Sequence, residues 1–279
     1  MGTLYLVATP IGNLEDITLR ALQVLQQAAL IAAEDTRQTQ KLLQRYEIAT
    51  PMVSYHEHNK LAAGRLREIL AALENGDVAL VSDAGMPGLN DPGYELVGAA
   101  LEAGLPVSAI PGASAPITAL VVSGLPTDAF LYLGYLPRRP AERRRRLQEV
   151  SEFPYTLILL ETPHRLVEAL GDLETILGNR LIAVARELTK LHEEIFRGSL
   201  QQARLHFQQN EPRGEFTLVV SGRSAEPAGP WNEERLVQAL REGLSGGQPQ
   251  SRLASELAAK SGWARRDVYQ KISEIKQAD

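Results

Sequence analysis

The chain has 279 residues, 44% of them apolar and 23% charged, with a formal net charge of −5. That composition suits a folded globular protein of one large or two modest domains and excludes a disordered one. No cysteine is present, which removes disulfides, zinc–thiolate sites and cysteine nucleophiles together and fits a reducing cytoplasm.

In chain order, short β-branched or apolar runs alternate with longer helical patterns. Residues 3–8, 30–34, 52–56, 78–83 and 107–110 read as strands. Between them, 18–27, 37–46, 61–74 and 94–103 have helical spacing; Leu66, Ile69, Leu70 and Leu73 form one such stripe. This alternation predicts an α/β layer with a mostly parallel sheet over 1–118. A second set over 119–223 has strand-like runs at 129–136, 155–161, 181–187, 194–200 and 215–222, with helical patterns at 140–150, 163–177 and 200–209. Several of these strands follow one another without a long helix between them, so a mixed sheet is expected. Residues 224–230, "SAEPAGP", read as a linker. The tail, 231–279, is near neutral and reads as three short helices with a helix-turn-helix texture. No apolar run approaches the ~20 residues of a spanning helix, and the N-terminus shows no export signal, so a soluble protein without a membrane segment is expected.

Glycine-bearing turns fall where strands should end: "ATPIGN" (8–13), "SDAGMPGLNDPG" (82–93), "IPGASAP" (110–116) and, more weakly, "GYLPRR" (134–139). Ligands of open α/β sheets sit outside the carboxyl ends of the strands, so these turns together suggest a preformed small-molecule cleft. Asp83, at a strand end beside Gly85, can accept hydrogen bonds from a ribose or an ammonium group; alone it would read as a turn or helix cap. "PGAS" lacks the Lys-Ser/Thr of a phosphate loop, and Ser114 reads as the cap of a helix facing the cleft. "AAEDTR" brings Glu34, Asp35 and Arg37 together, with Asp35 or Thr36 placed to cap a helix. "SYHEHN" groups His56, Glu57 and His58, but no third partner is evident, and no metal site is expected. The negative net charge is unevenly spread. "PRRPAERRRR" carries Arg138, Arg139, Arg143, Arg144, Arg145 and Arg146 against a single glutamate, either a solvated helix start or a phosphate-facing strip.

Taken together, "YLVATPIGNLEDITLRAL", "AAEDTR", "SYHEHN", "LVSDAGMPGLNDPG", "IPGASA", the arginine strip, "LLETPHR" and "RELTKLHEE" resemble the 16S rRNA ribose 2′-O-methyltransferases, a group within the tetrapyrrole-methylase superfamily. The likeness runs over about residues 3–222, and the tail resembles an extension many members carry. It implies two α/β domains of the tetrapyrrole-methylase type, S-adenosylmethionine held in the cleft between them, a homodimer, and methyl transfer to a cytidine ribose in the decoding region of 16S rRNA or the small ribosomal subunit. Carried over by motif, the cofactor contacts would be Pro10, Asp83, Gly85, Met86, Ser114, Ala115, Leu160, Arg186 or Glu187, and a wall near Glu215–Thr217. The base would come from Glu34, Asp35, His56, Glu57 or Lys190; Arg37 and the arginine strip would hold RNA phosphates. Tetrapyrrole members have a GxGPG-type first turn where this chain has "ATPIGN", which favours the RNA branch. Two further readings stay open: a methylase of a small molecule or a protein side chain on the same scaffold, and a non-catalytic ribosome-assembly factor.

Overall fold

The structure, a computed structural model, describes residues 1–56, 62–223, 231–246 and 248–278. The chain divides into two units, Met1–Gly222 and Arg223–Asp279.

The larger unit holds two five-stranded sheets. Strands β1 (Leu4–Val7), β2 (Leu30–Ala33), β3 (Met52–Ser54), β4 (Val78–Val81) and β5 (Val107–Ile110) are ordered β3-β2-β4-β1-β5. Every pairing among them is parallel. Helices α1 (Leu19–Gln27), α2 (Thr36–Arg45), α3 (Ala62–Asn75) and α4 (Tyr94–Glu102) join them. Alternate strand residues face opposite sides of a sheet, and the core divides accordingly. Val7, Ile31, Ala33, Ala79 and Val81 pack on Ala21, Leu25, Leu42 and Leu43. Leu4, Ala32, Val78 and Leu80 pack on Ile69, Leu73, Leu96 and Ala100. Burial on two faces explains why β4 reads as an unbroken apolar run.

The second sheet is mixed, as the missing crossover helices imply. Strands β6 (Phe130–Tyr135), β7 (Thr156–Glu161), β8 (Leu181–Arg186), β9 (Glu194–Ser199) and β10 (Phe216–Val220) are ordered β6-β7-β10-β8-β9. β6 and β7 are parallel, whereas β10 runs antiparallel to both of its neighbours. On one face, Leu147, Leu166, Leu170 and Phe207, from α6 (Pro140–Val150), α7 (Pro163–Leu177) and α8 (Leu200–Gln209), pack on Leu157, Leu159, Val184 and Leu218. On the other, Ile158, Ala183, Ala185 and Val219 meet Ala119 and Leu120 of α5 (Ala115–Ser123). α5 follows β5 of the first sheet but packs on the second, and the 118/119 boundary drawn from the sequence falls within it.

The smaller unit comprises α9 (Glu233–Ser245), α10 (Gln250–Ser261) and α11 (Arg265–Ala278). Leu236, Leu240, Leu253, Leu257, Val268 and Ile272 form its own core, and the Trp263 indole donates to the Trp231 carbonyl at 2.6 Å. Among the described residues no helix is long and apolar enough to cross a membrane. The segment 224–230, read as a linker, lies outside the described residues.

Candidate active site

Because the first sheet is parallel, the segments following β1, β2, β4 and β5 leave from one edge. Two of them are stitched together. The Thr9 and Gly85 amides each donate to the other's carbonyl, at 2.9 and 3.0 Å, and the Thr9 hydroxyl donates to the Ser82 carbonyl at 3.0 Å. The turn after β1 then reaches the second sheet, where the Asn13 amide donates to Thr189 Oγ1 at 3.0 Å. Gly12 permits that approach: a Cβ there would lie 2.8 Å from the Leu188 carbonyl oxygen and 2.5 Å from Lys190 Cγ.

These loops and the second sheet enclose a cavity of about 300 Å³, within the range of small-ligand sites. Ile11 and residues 83–86 and 89–91 form one wall, and Ser114–Pro116 at the start of α5 form another. Leu160, Thr217 and Ala185 supply the floor. They are register partners on β7, β10 and β8, so their side chains share a face. Tyr132, Tyr135, Leu188, Glu215 and Phe216 complete the lining. Ser114 occupies the N-cap position of α5, yet its side chain makes no capping bond. Pro116, at the second position of α5, has no N–H and the Thr118 amide already donates to the Ser114 carbonyl at 2.9 Å, so the Ala115 and Ile117 amides are the ones Ser114 leaves uncapped at the cavity end of the helix.

The electrostatics are dominated by carboxylates. Glu34 Oε2 accepts the Asp83 amide at 3.2 Å, and Asp83 Oδ1 accepts the Asp35 amide at 3.0 Å. Partial burial pushes both Glu34 and Asp83 upward, against the pull of those amides. Asp91 is pushed furthest, to about 7, by burial and then by the charges of Glu34 and Asp83, with a hydrogen bond from Ser82 opposing. Burial, with Asp91 adding to it, lifts Tyr132 to about 12. A carboxyl raised above its unfolded value adds stability below that value, and the benefit disappears as pH rises through the folded value. Asp91→Asn is therefore expected to gain thermal stability over the wild type as pH rises from about 4 to about 7, with a level difference above that. Melting curves across that range check it, and a constant difference would contradict the placement of Asp91.

Glu34, Asp83, Gly85, Met86, Ser114, Ala115, Leu160 and Thr217, all expected from the sequence, meet at the cavity wall. Pro10 is buried next to Ile11, which takes the lining position instead. Arg186 and Glu187 are displaced by their neighbours Ala185 and Leu188. The reason is register: Ala185 opposes Thr217, so Arg186 is directed to the other face, where it pairs with Glu194 at 3.2 Å. Glu187 instead binds Lys190 at 2.9 Å and accepts the Glu215 amide.

Among the expected bases that are described, Glu34 alone lines the cavity. Asp35 caps α2 through the Arg37 amide, and its hydrogen bonds to Arg37 hold its carboxyl near 2, too acidic for a base. Lys190 is raised despite its burial by hydrogen bonds to Glu187 and Glu215 and stays an ammonium. His56 is exposed and acts on Glu34 and Asp83 only through its charge. Glu57 lies outside the described residues.

In the arginine strip, Arg138, Arg139, Arg144, Arg145 and Arg146 are exposed, and Arg37 is 88% exposed beside Asp35. Arg143 corrects the sequence expectation. Its side chain is fully buried, with ion pairs to Asp172 at 2.6 Å and Glu168 at 2.8 Å, so it faces the core rather than a phosphate. Sequence reasoning missed Asp91, Tyr132 and Tyr135. "NDPG" looks like turn chemistry, and the two tyrosines looked like strand residues.

Residues 3–204 match the family of Tetrapyrrole (Corrin/Porphyrin) Methylases. A Synechocystis sp. protein named Ribosomal RNA small subunit methyltransferase I is 50% identical over 277 residues, covering 99% of this chain and 99% of its own length. A Thermotoga maritima protein of the same name is 47% identical over 224 residues, which span 100% of that protein and 80% of this chain. Among solved structures, uroporphyrin-III-C-methyltransferase from Thermus thermophilus is 25% identical with a TM-score of 0.54, over 79% of this chain and 94% of that one. Two sheets enclosing one cleft, a family match that takes in the first sheet and four strands of the second, and near-full-length likeness to these relatives agree: the chain belongs to the tetrapyrrole methylase family.

Proposed function

We propose that the protein is an S-adenosylmethionine-dependent methyltransferase that methylates the ribose 2′-oxygen of a cytidine in the decoding region of 16S rRNA. The observation that carries this reading is the likeness to the Synechocystis protein, which extends over 99% of both chains. The Thermotoga relative has no counterpart for a fifth of this chain, which supports placing the chemistry in the larger unit.

The cavity suits the proposed cofactor. Asp83 offers a carboxylate to ribose hydroxyls or an ammonium group, and the uncapped start of α5 offers amides to a carboxylate. Ile11, Met86, Leu160 and Leu188 offer apolar surface to an adenine. The surrounding carboxylates favour a cation. When bound, the cofactor supplies a methyl group already electrophilic on its sulfonium. The protein's own work is to align that methyl with the acceptor oxygen, exclude water and accept the hydroxyl proton. Arg37, Arg138, Arg139, Arg144, Arg145 and Arg146 are proposed to hold RNA phosphates. We further propose that the enzyme acts in the cytoplasm as a homodimer, which light scattering of the purified protein would test.

Incubation with methyl-labelled S-adenosylmethionine and unmodified small ribosomal subunits, with free 16S rRNA in parallel, is expected to label a cytidine ribose, identified by digestion and mass. Tight cofactor binding without labelled RNA would remove the rRNA reading and favour a small-molecule or protein acceptor.

A further inference from the structure

The segment joining β8 to β9, residues 187–193 ("ELTKLHE"), runs on a backbone that its sequence does not favour. Glu187 and Thr189 both adopt left-handed conformations (φ 52° and 65°), which a β-branched threonine rarely enters. Bonds from several sides hold them there. The Glu187 amide donates to the Glu215 carbonyl at 3.2 Å, and its carboxylate accepts the Glu215 amide at 3.1 Å and Lys190 Nζ at 2.9 Å. Thr189 Oγ1 accepts the Asn13 amide at 3.0 Å, and the Thr189 amide donates to Glu193 Oε2 at 2.6 Å. Two turns close the segment. The Lys190 amide donates to the Glu187 carbonyl at 3.0 Å, and the Glu193 amide to the Lys190 carbonyl at 3.2 Å.

The second turn leaves Leu191 and His192 at its corners, and none of these bonds involves either side chain. Leu191 is 93% exposed, and His192 is exposed beside it. Backbone strain kept in place beneath an exposed apolar tip points to a contact made with another molecule. The position of the tip says which. Leu188 lines the cavity, and Lys190 pairs with Glu215, which lines it too, so the tip stands at the cavity rim. Leu89 and Tyr135 line the same cavity and are also exposed, and Tyr135 opens the segment that continues into the exposed Arg138 and Arg139. Exposed flat or apolar side chains beside exposed arginines are the combination that holds single-stranded RNA, the first by base stacking and the second by phosphate contact.

We propose that the Leu191–His192 tip packs against a nucleobase beside the cytidine whose ribose is methylated. This inference rests on the rRNA reading above. Methyl transfer needs the ribose oxygen held in line with the methyl group, and a base clamped at the rim fixes that nucleotide from outside the cavity. His192 supplies an aromatic face and Leu191 an apolar one, and neither moves a proton or a methyl group. The tip is a positioning element, so its loss acts on substrate use and leaves the cofactor in place.

Methylation of small ribosomal subunits at varied subunit concentration tests the proposal. Calorimetric S-adenosylmethionine binding, melting curves and the salt dependence of subunit binding are measured on the same proteins. Leu191→Ser combined with His192→Ala is expected to lower kcat/KM about 5–100-fold, mostly through KM. Melting temperature and cofactor affinity are expected to stay at their wild-type values. The salt slope should be unchanged, because no phosphate contact is removed. His192→Trp is expected to keep or exceed the wild-type kcat/KM, since the larger ring also stacks. An active wild type with a doubly substituted protein of equal kcat/KM overturns this inference alone. So does a loss accompanied by weaker cofactor binding or a lower melting temperature, which would make the tip part of the pocket wall. A shallower salt slope overturns it too, since the contact would then be one of charge. A wild type that methylates nothing in the subunit overturns the rRNA reading and this inference with it.

Discussion

Arg143→Ala is expected to destabilise the larger unit by about 3–5 kcal/mol, whereas Arg145→Ala, two positions further along the same arginine run on α6, changes stability by no more than about 0.5 kcal/mol. The Arg143 Nε donates to Asp172 Oδ2 at 2.7 Å, and its Nη2 lies 2.6 Å from Asp172 and 2.8 Å from Glu168. Asp172 is itself 7% exposed, and Arg144 holds its other oxygen at 2.7 Å. Truncating Arg143 leaves a buried carboxylate with half of its compensation and opens a cavity beside α7. Urea unfolding separates the two variants. The paired change Arg143→Met with Asp172→Leu is expected to recover most of the loss, because no buried charge is then left alone. Arg145→Ala acts elsewhere: it is expected to weaken binding to RNA and to lower the salt slope of that binding by about 1. An Arg143→Ala protein as stable as wild type would mean that this arginine is not buried against α7.

Gly12→Val is expected to be the most damaging glycine substitution near the cavity. The added Cβ would meet Lys190 Cγ at 2.5 Å, the Leu188 carbonyl oxygen at 2.8 Å and Thr189 Oγ1 at 2.8 Å. The lysine can swing aside, but the carbonyl cannot without moving the chain that carries Leu188, a cavity wall. Separation of the two loops is expected to destabilise the protein by about 1–3 kcal/mol. It should also weaken cofactor binding about tenfold or more, since Ile11 and Leu188 line the same space. Gly98→Ala in α4 is the control, because nothing lies within 4 Å of its added Cβ; it should be neutral or stabilising by up to about 1 kcal/mol. Calorimetry with S-adenosylmethionine on both variants decides. Equal affinities would show that the Gly12–Leu188 seam does not shape the pocket.

Much of the architecture was legible because the local signals agree. The strand-like runs read from the sequence coincide with β1 to β10 to within a few residues at each end, and the seven bounded helical stretches with α1 to α4 and α6 to α8, while the three helices of the tail were read without bounds. Strand order was not legible, since periodicity says which face is buried and nothing about which strand lies beside which. The same limit explains the misplaced side chains. "ARELTK" places Arg186 and Glu187 at a strand end, but the β8–β10 register that turns Ala185 inward is a pairing fact. A run of arginines looks uniformly solvated until the helix carrying it is docked; Arg143 then falls on the face toward α7. Asp91 was hidden because Asn-Asp-Pro-Gly is ordinary turn chemistry, and only the assembled cavity gives it carboxylate neighbours.

The position of β10 also bears on how the molecule comes into being. It is the last strand of the larger unit to be synthesised, yet it lies at the middle of its sheet, between β7 and β8. Until residues 216–220 leave the ribosome, β7 and β8 have no common neighbour, and Ala119 and Leu120 of α5 lack Val219 to pack against. The first sheet, complete by residue 110, can close during synthesis. The second must wait: the edge of β7, complete at residue 161, has no partner on that side until β10 begins at residue 216, which makes the nascent chain a natural client for chaperones.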